Sequence, residues 1–205
     1  MTTQHCNMSL KDLLYKWSRN GRWGEFLTHV SALNFPGYKK VISHVYCVNN
    51  NKVPTEIDSV MVTRFGFIVI ETKHFSGTLI GSIDQEQWTL QFKHHKRIVY
   101  SPIRQNQTHI YALNKALPHY RNVPKFSMIV VDEACTLQVV SDQHNRIVHR
   151  RQLNKQLKLW LNTQPMVLSR KEVRQIAREL NAMRHISRKN KKMHERHVKN
   201  KKQPD

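Results

Sequence analysis

The strongest constraint on the fold is a pair of apolar segments, residues 57–64 and 67–73, that are separated only by Phe65 and Gly66. Both segments are rich in valine and isoleucine, and a two-residue connection that contains glycine is typical of a β-hairpin. A further run of four apolar residues, 128–131, predicts another buried strand. A chain of 205 residues with 39% hydrophobic residues is long enough for one domain built on such strands.

Helices are predicted before, between and after these strands in the sequence. Apolar residues recur at helical spacing in five segments, which lie at about 10–17, 22–33, 102–117, 152–161 and 169–186. Shorter strands are expected at 41–48, 78–83, 87–93, 97–100 and near Leu137. This mixture predicts an α/β fold, in which we expect an N-terminal helix within 1–20, a main domain over 21–140, a C-terminal helical extension over 141–186 and a basic, disordered tail over 187–205.

The charge of the chain points to a polyanionic partner. Lys and Arg number 34 against 14 Asp and Glu, so the net charge is +20. An excess of this size destabilises a compact fold by self-repulsion, which a nucleic acid would relieve; an anionic membrane surface is the second choice. Residues 151–205 hold 16 of the basic residues and 4 of the acidic ones. We predict that the tail binds phosphates rather than merely adding solubility, through the basic run of Arg188, Lys189, Lys191 and Lys192.

The cysteines and the apolar runs indicate a soluble, intracellular protein. The three cysteines are far apart and form no Cys-x-x-Cys pair, which disfavours a disulfide framework and a cysteine-rich zinc site. No apolar run approaches the roughly 18 residues that a membrane span needs. We therefore expect a cytoplasmic protein without a membrane span, and its basic charge is compatible with association with the nucleoid.

Two carboxylates interrupt the apolar hairpin. Asp58 lies in the first strand and Glu71 near the end of the second. A half-buried carboxylate costs on the order of several kcal/mol unless it is paired, hydrogen-bonded or bound to a metal. With Phe65 and Gly66 as the turn, Asp58 is predicted to face Lys73, and Glu71 to lie diagonally two residues along. Because side chains alternate between the faces of a strand, all three would project to one side.

Two carboxylates and one ammonium on one face are suited to metal-assisted cleavage of a phosphodiester. The carboxylates would hold a hard divalent cation, Mg²⁺ with Mn²⁺ as a substitute, through oxygen ligands. The cation would polarise the phosphate and activate a water molecule, and the ammonium would position that water or offset the growing negative charge. The residues alone leave open an ordinary cross-strand ion pair between Asp58 and Lys73, with Glu71 in solvent.

Several motifs, taken in order, resemble one known family. They are Gly24-Glu25, Thr55 to Asp58, Gly66 to Lys73, Ser76 to Gly81, Trp88, and Pro102 to Asn106. Over about residues 21–117 the chain resembles the nuclease-related domain (NERD) family, which is similar to the PD-(D/E)xK nuclease superfamily. The resemblance implies a restriction-endonuclease-like core, in which helices flank a central mixed β-sheet. Ile57 stands where the superfamily name has Pro, a departure that NERD-like sequences share.

The resemblance also implies roles for individual residues. Lys73 matches the catalytic lysine, and Gln105 matches a glutamine that orders the site or touches substrate. Glu25 matches an acidic residue that the first core helix contributes to the metal site. A surface carboxylate and a solvated amide are the alternatives for Glu25 and Gln105. The implied metal ligands are Asp58, Glu71, Thr72 and Glu25.

These observations lead to the hypothesis of a Mg²⁺-dependent nuclease that acts on nucleic acid, with DNA favoured over RNA. The first alternative is a non-catalytic nucleic-acid-binding accessory module on the same fold. The second is a basic protein that docks on RNA or an anionic membrane, with structural carboxylates. An ATPase is excluded because no Gly-x-x-x-x-Gly-Lys-Ser/Thr motif occurs, and the spacing of His194 and His197 does not match a zincin helix.

Truncation after residue 186 tests the predicted role of the tail. It removes eight Lys and Arg residues and two acidic ones. If the tail binds phosphates, the slope of log K against log salt on duplex DNA should become shallower by up to roughly 0.9 per lost contact. The melting temperature should barely change, because little apolar surface is removed. An unchanged slope would mean that the tail acts only as a solubilising segment.

Overall fold

The computed structural model describes residues 21–48 and 54–184. In order, these residues form α1 (Gly21–Leu33), β1 (Lys39–Val48), β2 (Pro54–Thr63), β3 (Gly66–Lys73), β4 (Gly77–Ser82), β5 (Gln87–Gln91), β6 (Lys96–Tyr100), α2 (Pro102–Ala116), β7 (Lys125–Val131), β8 (Cys135–Val140), β9 (Asn145–His149), α3 (Leu153–Leu161) and α4 (Arg170–Ala182). The predicted α/β class is confirmed. The helix predicted within 1–20 and the basic tail over 187–205 lie outside the described residues. Within the described ranges, none of the helices has the length and apolarity that a membrane crossing requires.

A five-stranded sheet forms the centre of the fold. Its order is β1-β2-β3-β7-β9; the first three strands are antiparallel, and β3, β7 and β9 run parallel. Helices α2 and α4 pack on one face, through a core cluster that includes Leu113 and Ile176. Helices α1 and α3 cover the other face, through a cluster that includes Ala32 and Trp160. A mixed sheet with helices on both faces agrees with the predicted restriction-endonuclease-like core.

A second sheet of four strands, in the order β6-β5-β4-β8, continues from the ends of β3 and β7. β4 follows β3 and β8 follows β7 after short breaks, and the two new strands again pair in parallel. Leu79 and Trp88 belong to the core on its inner side. At the break, Nδ1 of His74 lies 2.6 Å from Oδ2 of Asp132, and Arg150 pairs with the same carboxylate. The sequence predicts these strands but not their separation into a second sheet.

The β2–β3 hairpin differs in register from the predicted one. Thr63 pairs with Gly66, so Arg64 and Phe65 form the connection. The prediction that Phe65 and Gly66 form it is wrong. Thr63 stabilises the observed turn, because its Oγ1 accepts a hydrogen bond from the Phe65 N–H at 3.1 Å and donates one to the Gly66 carbonyl at 3.0 Å.

The C-terminal segment is part of the same core. β9, which is not predicted from the sequence, pairs with β7 in the five-stranded sheet. Leu157 of α3 and Val173 of α4 are fully buried against the two faces of that sheet. The domain boundary that the sequence predicts at residue 140 therefore does not coincide with a break in the fold.

A substitution at Gly66 tests what determines the hairpin register. Its φ is +133°, and a Cβ atom there would collide with the carbonyl oxygen of Pro124. We expect Gly66→Ala to lower the free energy of unfolding by about 2–4 kcal/mol, measured by urea denaturation, through strain and overpacking. Gly37→Ala is the control: its φ of +92° is also positive, but no atom lies within 4 Å of the added Cβ. The control should lose only about 1–2 kcal/mol, and equal losses would contradict a role for the Pro124 contact.

Candidate active site

Glu71 lies at the centre of a buried polar cluster near the end of β3, and only 3% of its surface is exposed to solvent. Nζ of Lys73 is 2.7 Å from Oε1 of Glu71. Nε2 of Gln105, on α2, donates a hydrogen bond to the same oxygen at 2.6 Å. Nζ of Lys73 also donates to Oε1 of Gln105 at 2.8 Å. The carboxylate, the ammonium and the amide form a closed triangle, in which each group fixes the position of the other two.

The next residue, Asn106, holds α2 against the sheet. Its side-chain amide is fully buried and donates to the carbonyl oxygen of Val69 at 2.9 Å and to Oγ of Ser127 at 3.0 Å. One of these acceptors belongs to β3 and the other to β7. The helix cannot rotate without breaking both bonds, so the direction of the neighbouring Gln105 is determined by the packing of α2.

His109, one helical turn after Gln105, is part of the cluster and is not predicted from the sequence. Its Nε2 lies 3.2 Å from Oε2 of Glu71, and its Nδ1 lies 3.1 Å from Oγ1 of Thr55. Apart from this contact, the buried Oε2 has no hydrogen-bond partner among the described residues. The spacing Gln-x-x-x-His, which places both side chains on one helix face, is the signal that indicates this residue.

Asp58 stands where β2 departs from regular strand geometry. The backbone ladder between β2 and β3 ends next to it, and its Oδ2 instead accepts a hydrogen bond from the N–H of Thr72 at 2.8 Å. Ile57 and Val60 pack into the same core cluster although they are three residues apart. The alternation of side chains is therefore interrupted across Asp58.

β1 is distorted at the position across from Asp58. The strand pairs on either side, 43–59 and 45–57, place His44 there. Among the described residues, His44 is the non-glycine residue with a left-handed backbone, at φ +53°, and its Nδ1 lies 2.8 Å from Oε1 of Glu56. Asp58 and His44 line a cleft of about 220 Å³ together with Glu25 of α1. The distortion opens the sheet at the site.

The structure thus brings the predicted residues together, but in a different arrangement. The register pairs Ser59 with Ile70 and is therefore shifted from the predicted one, so the prediction that Asp58 faces Lys73 is wrong. Asp58 lines the cleft beside α1 with Glu25, whereas Glu71 and Lys73 contact α2 through Gln105. Thr72 contributes its backbone N–H to Asp58. The predicted phosphate-binding residues Arg188, Lys189, Lys191 and Lys192 lie outside the described residues.

The carboxylates of the site differ in how their charge is compensated. Burial raises the pKa of Asp58 well above its usual range, and the charges of Glu71 and Glu25 raise it further. Burial also raises the pKa of Glu25. For Glu71, burial alone would raise the pKa, but Lys73 and the adjacent histidine outweigh it and lower the pKa to about 2. The charge of Glu71 is therefore matched, while that of Asp58 is not.

This donor set fits a hard divalent cation. Asp58, Glu71 and Glu25 bring oxygen ligands of the preferred kind into one region, and the buried Oε2 of Glu71 has no hydrogen-bond partner beyond its contact with His109 among the described residues. A cation would also offset the burial and mutual repulsion that disfavour the ionised carboxylates. Within residues 21–48 and 54–184, no three His, Cys, Asp or Glu side chains are already arranged as a metal centre. A bound cation would have to draw the carboxylates together.

Residues 20–132, which are more than half of the chain, match the nuclease-related domain. The chain belongs to the nuclease-related domain family. This finding confirms the resemblance that the motifs indicate. The matched region contains the elements from α1 to β7, and with them every residue of the cluster described above. β9, α3 and α4 lie beyond it.

This nuclease-related domain is also similar to individual proteins. An uncharacterized protein of Bacillus anthracis is 28% identical over 137 residues, which are 66% of this chain and 62% of that protein. The chain thus spans less than two thirds of the length of this curated relative. The crystal structure of AF1548, a protein of unknown function, matches with 12% identity over 77% of this chain and 96% of that one; its TM-score of 0.33 is too low to establish a common fold.

The uncompensated charge of Asp58 leads to a prediction about stability. Because its pKa is higher in the folded chain than in the unfolded chain, the folded state binds this proton more tightly. The contribution of this proton to the free energy of unfolding is fully present below the pKa of the unfolded chain, about 3.9. It is lost as the pH rises through the pKa of Asp58 in the folded chain. In EDTA at pH 7, Asp58→Asn should therefore raise the melting temperature of this nuclease-related domain, and the gain should disappear near pH 3.

Asp84→Asn, at an exposed turn, is the matched control and should leave the melting temperature unchanged. Added Mg²⁺ should raise the melting temperature of the wild type and of this control more than that of Asp58→Asn, because the latter lacks one anionic ligand. A lower melting temperature for Asp58→Asn at pH 7 would contradict the assignment of an uncompensated charge.

Proposed function

We propose that this nuclease-related domain hydrolyses phosphodiester bonds in nucleic acid, with DNA as substrate and a divalent cation as cofactor. The observation that carries the proposal is the triangle of Glu71, Lys73 and Gln105 beside the half-buried, uncompensated Asp58. Such an arrangement costs stability in the free protein, which a chemical role accounts for and a purely structural role does not. The family match and the net charge of +20 support nucleic acid as the partner.

Asp58 and Glu71 would hold the cation, Mg²⁺ with Mn²⁺ as a substitute, and Glu25 and Thr72 are the further proposed ligands. When bound, the cation would supply polarisation of a phosphate oxygen and a lower pKa for water. Glu71 enters this site already ionised, because its pKa is low. Asp58, whose pKa is raised well above its usual range, would exchange its proton for the cation, so we expect metal binding to release a proton as the site fills.

Lys73 acts in this proposal as a fixed positive charge. Burial works against its charge, but Glu71, followed by Asp58 and Glu25, raises its pKa, so the amine stays protonated and cannot serve as a base. An ammonium has three N–H donors. Two of them have acceptors in Glu71 and Gln105, and in this proposal the third donates to a phosphate oxygen or to the attacking water. A donor held in this way stabilises negative charge that develops in the transition state.

Cleavage assays on Lys73 variants test the proposed function. We expect the wild type to cleave plasmid or linear DNA with Mg²⁺ and not with EDTA. Lys73→Met should lower the single-turnover rate by about 10²–10³-fold. Its DNA affinity should change little, because one cation among 34 basic residues adds little to binding. Lys155→Ala, at an exposed position of α3, is the control and should keep the full rate.

A second variant separates the loss of chemistry from the loss of fold. Lys73→Met leaves a buried carboxylate unpaired, which costs about 3–5 kcal/mol. Glu71→Gln/Lys73→Met removes both charges and should retain more of the wild-type melting temperature than Lys73→Met, while remaining inactive. A folded Lys73→Met protein with the wild-type cleavage rate would overturn the proposed role of Lys73.

A non-catalytic nucleic-acid-binding module is the second candidate. The observation that favours it is the absence, within the described residues, of three side chains already arranged as a metal centre. In that case the wild type would bind DNA without cleaving it in any divalent metal, and Mg²⁺ would not change its melting temperature.

A further inference from the structure

The connection between β5 and β6 and the first two residues of β6 carry several positive charges. This segment, Lys93–Arg97, is here called the hairpin tip. It contains Lys93, Lys96 and Arg97, together with two histidines, and all five residues are exposed. None of the three cations forms an ion pair with the described residues. The sequence contains no acidic residue between 87 and 131. A run of exposed cations that has no acidic residue close to it in the sequence, and no ion pair among the described residues, favours an anion.

The hairpin tip has a defined backbone. The N–H of Phe92 donates to the carbonyl oxygen of His95 at 2.8 Å, and Nε2 of Gln91 donates to the carbonyl of Phe92 at 2.7 Å. The rings of Phe92 and His95 stack with centroids 4.4 Å apart and an interplanar angle of 14°. None of these contacts uses the side chains of the three cations. The charges are therefore presented from a turn that is ordered before any partner binds, which lowers the entropic cost of binding.

The hairpin tip also lies close to the candidate active site. A Cβ atom at Gly77 would lie 3.2 Å from a ring carbon of Phe92 and would collide with the carbonyl oxygen of Gln91. Gly77 has φ +83° and follows Lys73 by four residues. Four residues span at most about 14 Å. Since each strand of DNA advances 3.4 Å per nucleotide, the glycine against which the base of this hairpin packs lies within about four nucleotides of Lys73.

We propose that the hairpin tip binds the phosphate backbone of the nucleic acid that enters the site, a few nucleotides from the reacting phosphate. Lys93, Lys96 and Arg97 make the contacts, and Gly77 allows the tip to pack against the segment that follows Lys73. Contacts to phosphates position a nucleic acid without reading its sequence. That the bound nucleic acid is the substrate rests on the proposed function. That the hairpin tip binds nucleic acid does not.

The test compares two triple variants of equal charge. One changes Lys93, Lys96 and Arg97 to Gln, and the control changes the exposed residues Lys155, Lys158 and Lys171 of α3 and α4 to Gln. Affinity for a 20-base-pair DNA duplex is measured in EDTA over a range of salt concentrations, so that no cleavage occurs. The tip variant should make the slope of log K against log salt shallower by about 2–3, and the control should keep the wild-type slope. Both variants should keep the wild-type melting temperature.

The possible outcomes are distinct. An unchanged slope in the tip variant would overturn the proposal, and equal losses in both variants would do the same, because they would reflect net charge alone. Loss of binding to phosphatidylserine vesicles with an unchanged DNA slope would assign the hairpin tip to a membrane and would also overturn it. If the wild type cleaves DNA, the tip variant should raise KM and leave the single-turnover rate at saturating DNA unchanged. If the wild type does not cleave, a shallower slope still supports the hairpin tip while the proposed function fails.

Discussion

Glu71 is held between the central sheet and α2 at 3% exposure, and its charge is tolerated because Lys73 lies 2.7 Å away. An unpaired carboxylate in such a place would cost on the order of several kcal/mol. The pair in turn needs Gln105, whose amide satisfies the carboxylate with its nitrogen and the ammonium with its oxygen. Gln105 can do so only if α2 packs at one rotation, which the bonds of Asn106 to β3 and β7 establish. The compensation of the charge of Glu71 therefore depends on β3, on α2 and on the neighbouring parallel strand β7.

The other side of the site has the opposite character. Asp58 is half-buried beside two like charges and accepts a hydrogen bond from the N–H of Thr72. Across from it, His44 adopts a left-handed backbone, which costs a residue with a side chain about 1–2 kcal/mol. Strain and uncompensated charge thus coincide at one break in two neighbouring strands. Unfavourable features of this kind are concentrated at functional sites, where a ligand can repay them. The site therefore joins a half in which the carboxylate charge is paired, around Glu71, to a half in which it is not, around Asp58.

The sequence predicts much of the chemistry and less of its geometry. Alternation along an apolar strand is sufficient to show that Glu71 and Lys73 share a face, because that relation depends on the period of two alone. The position of Asp58 relative to β3 depends on which residues form the turn. Gly66 adopts a backbone with positive φ and pairs with Thr63, so it belongs to β3 and not to the turn. The sequence does not predict β9, because this strand is five residues long and contains only two apolar residues. The interruption at Asp58 and His44 arises from packing between elements and has no local sequence signal.

The parallel pairing of β3 with β7 also determines when this site can exist. β3 ends at Lys73, whereas β7 begins at Lys125 and α2 lies between them. In a nascent chain that has not yet reached β7, β3 would be an edge strand, and Asn106 would lack its acceptor on Ser127. Pairing between strands so distant in sequence forms slowly, because the loop between them must close first. The charges of the site are therefore assembled at a late stage of folding, after synthesis of most of the domain, and not as a motif that forms locally.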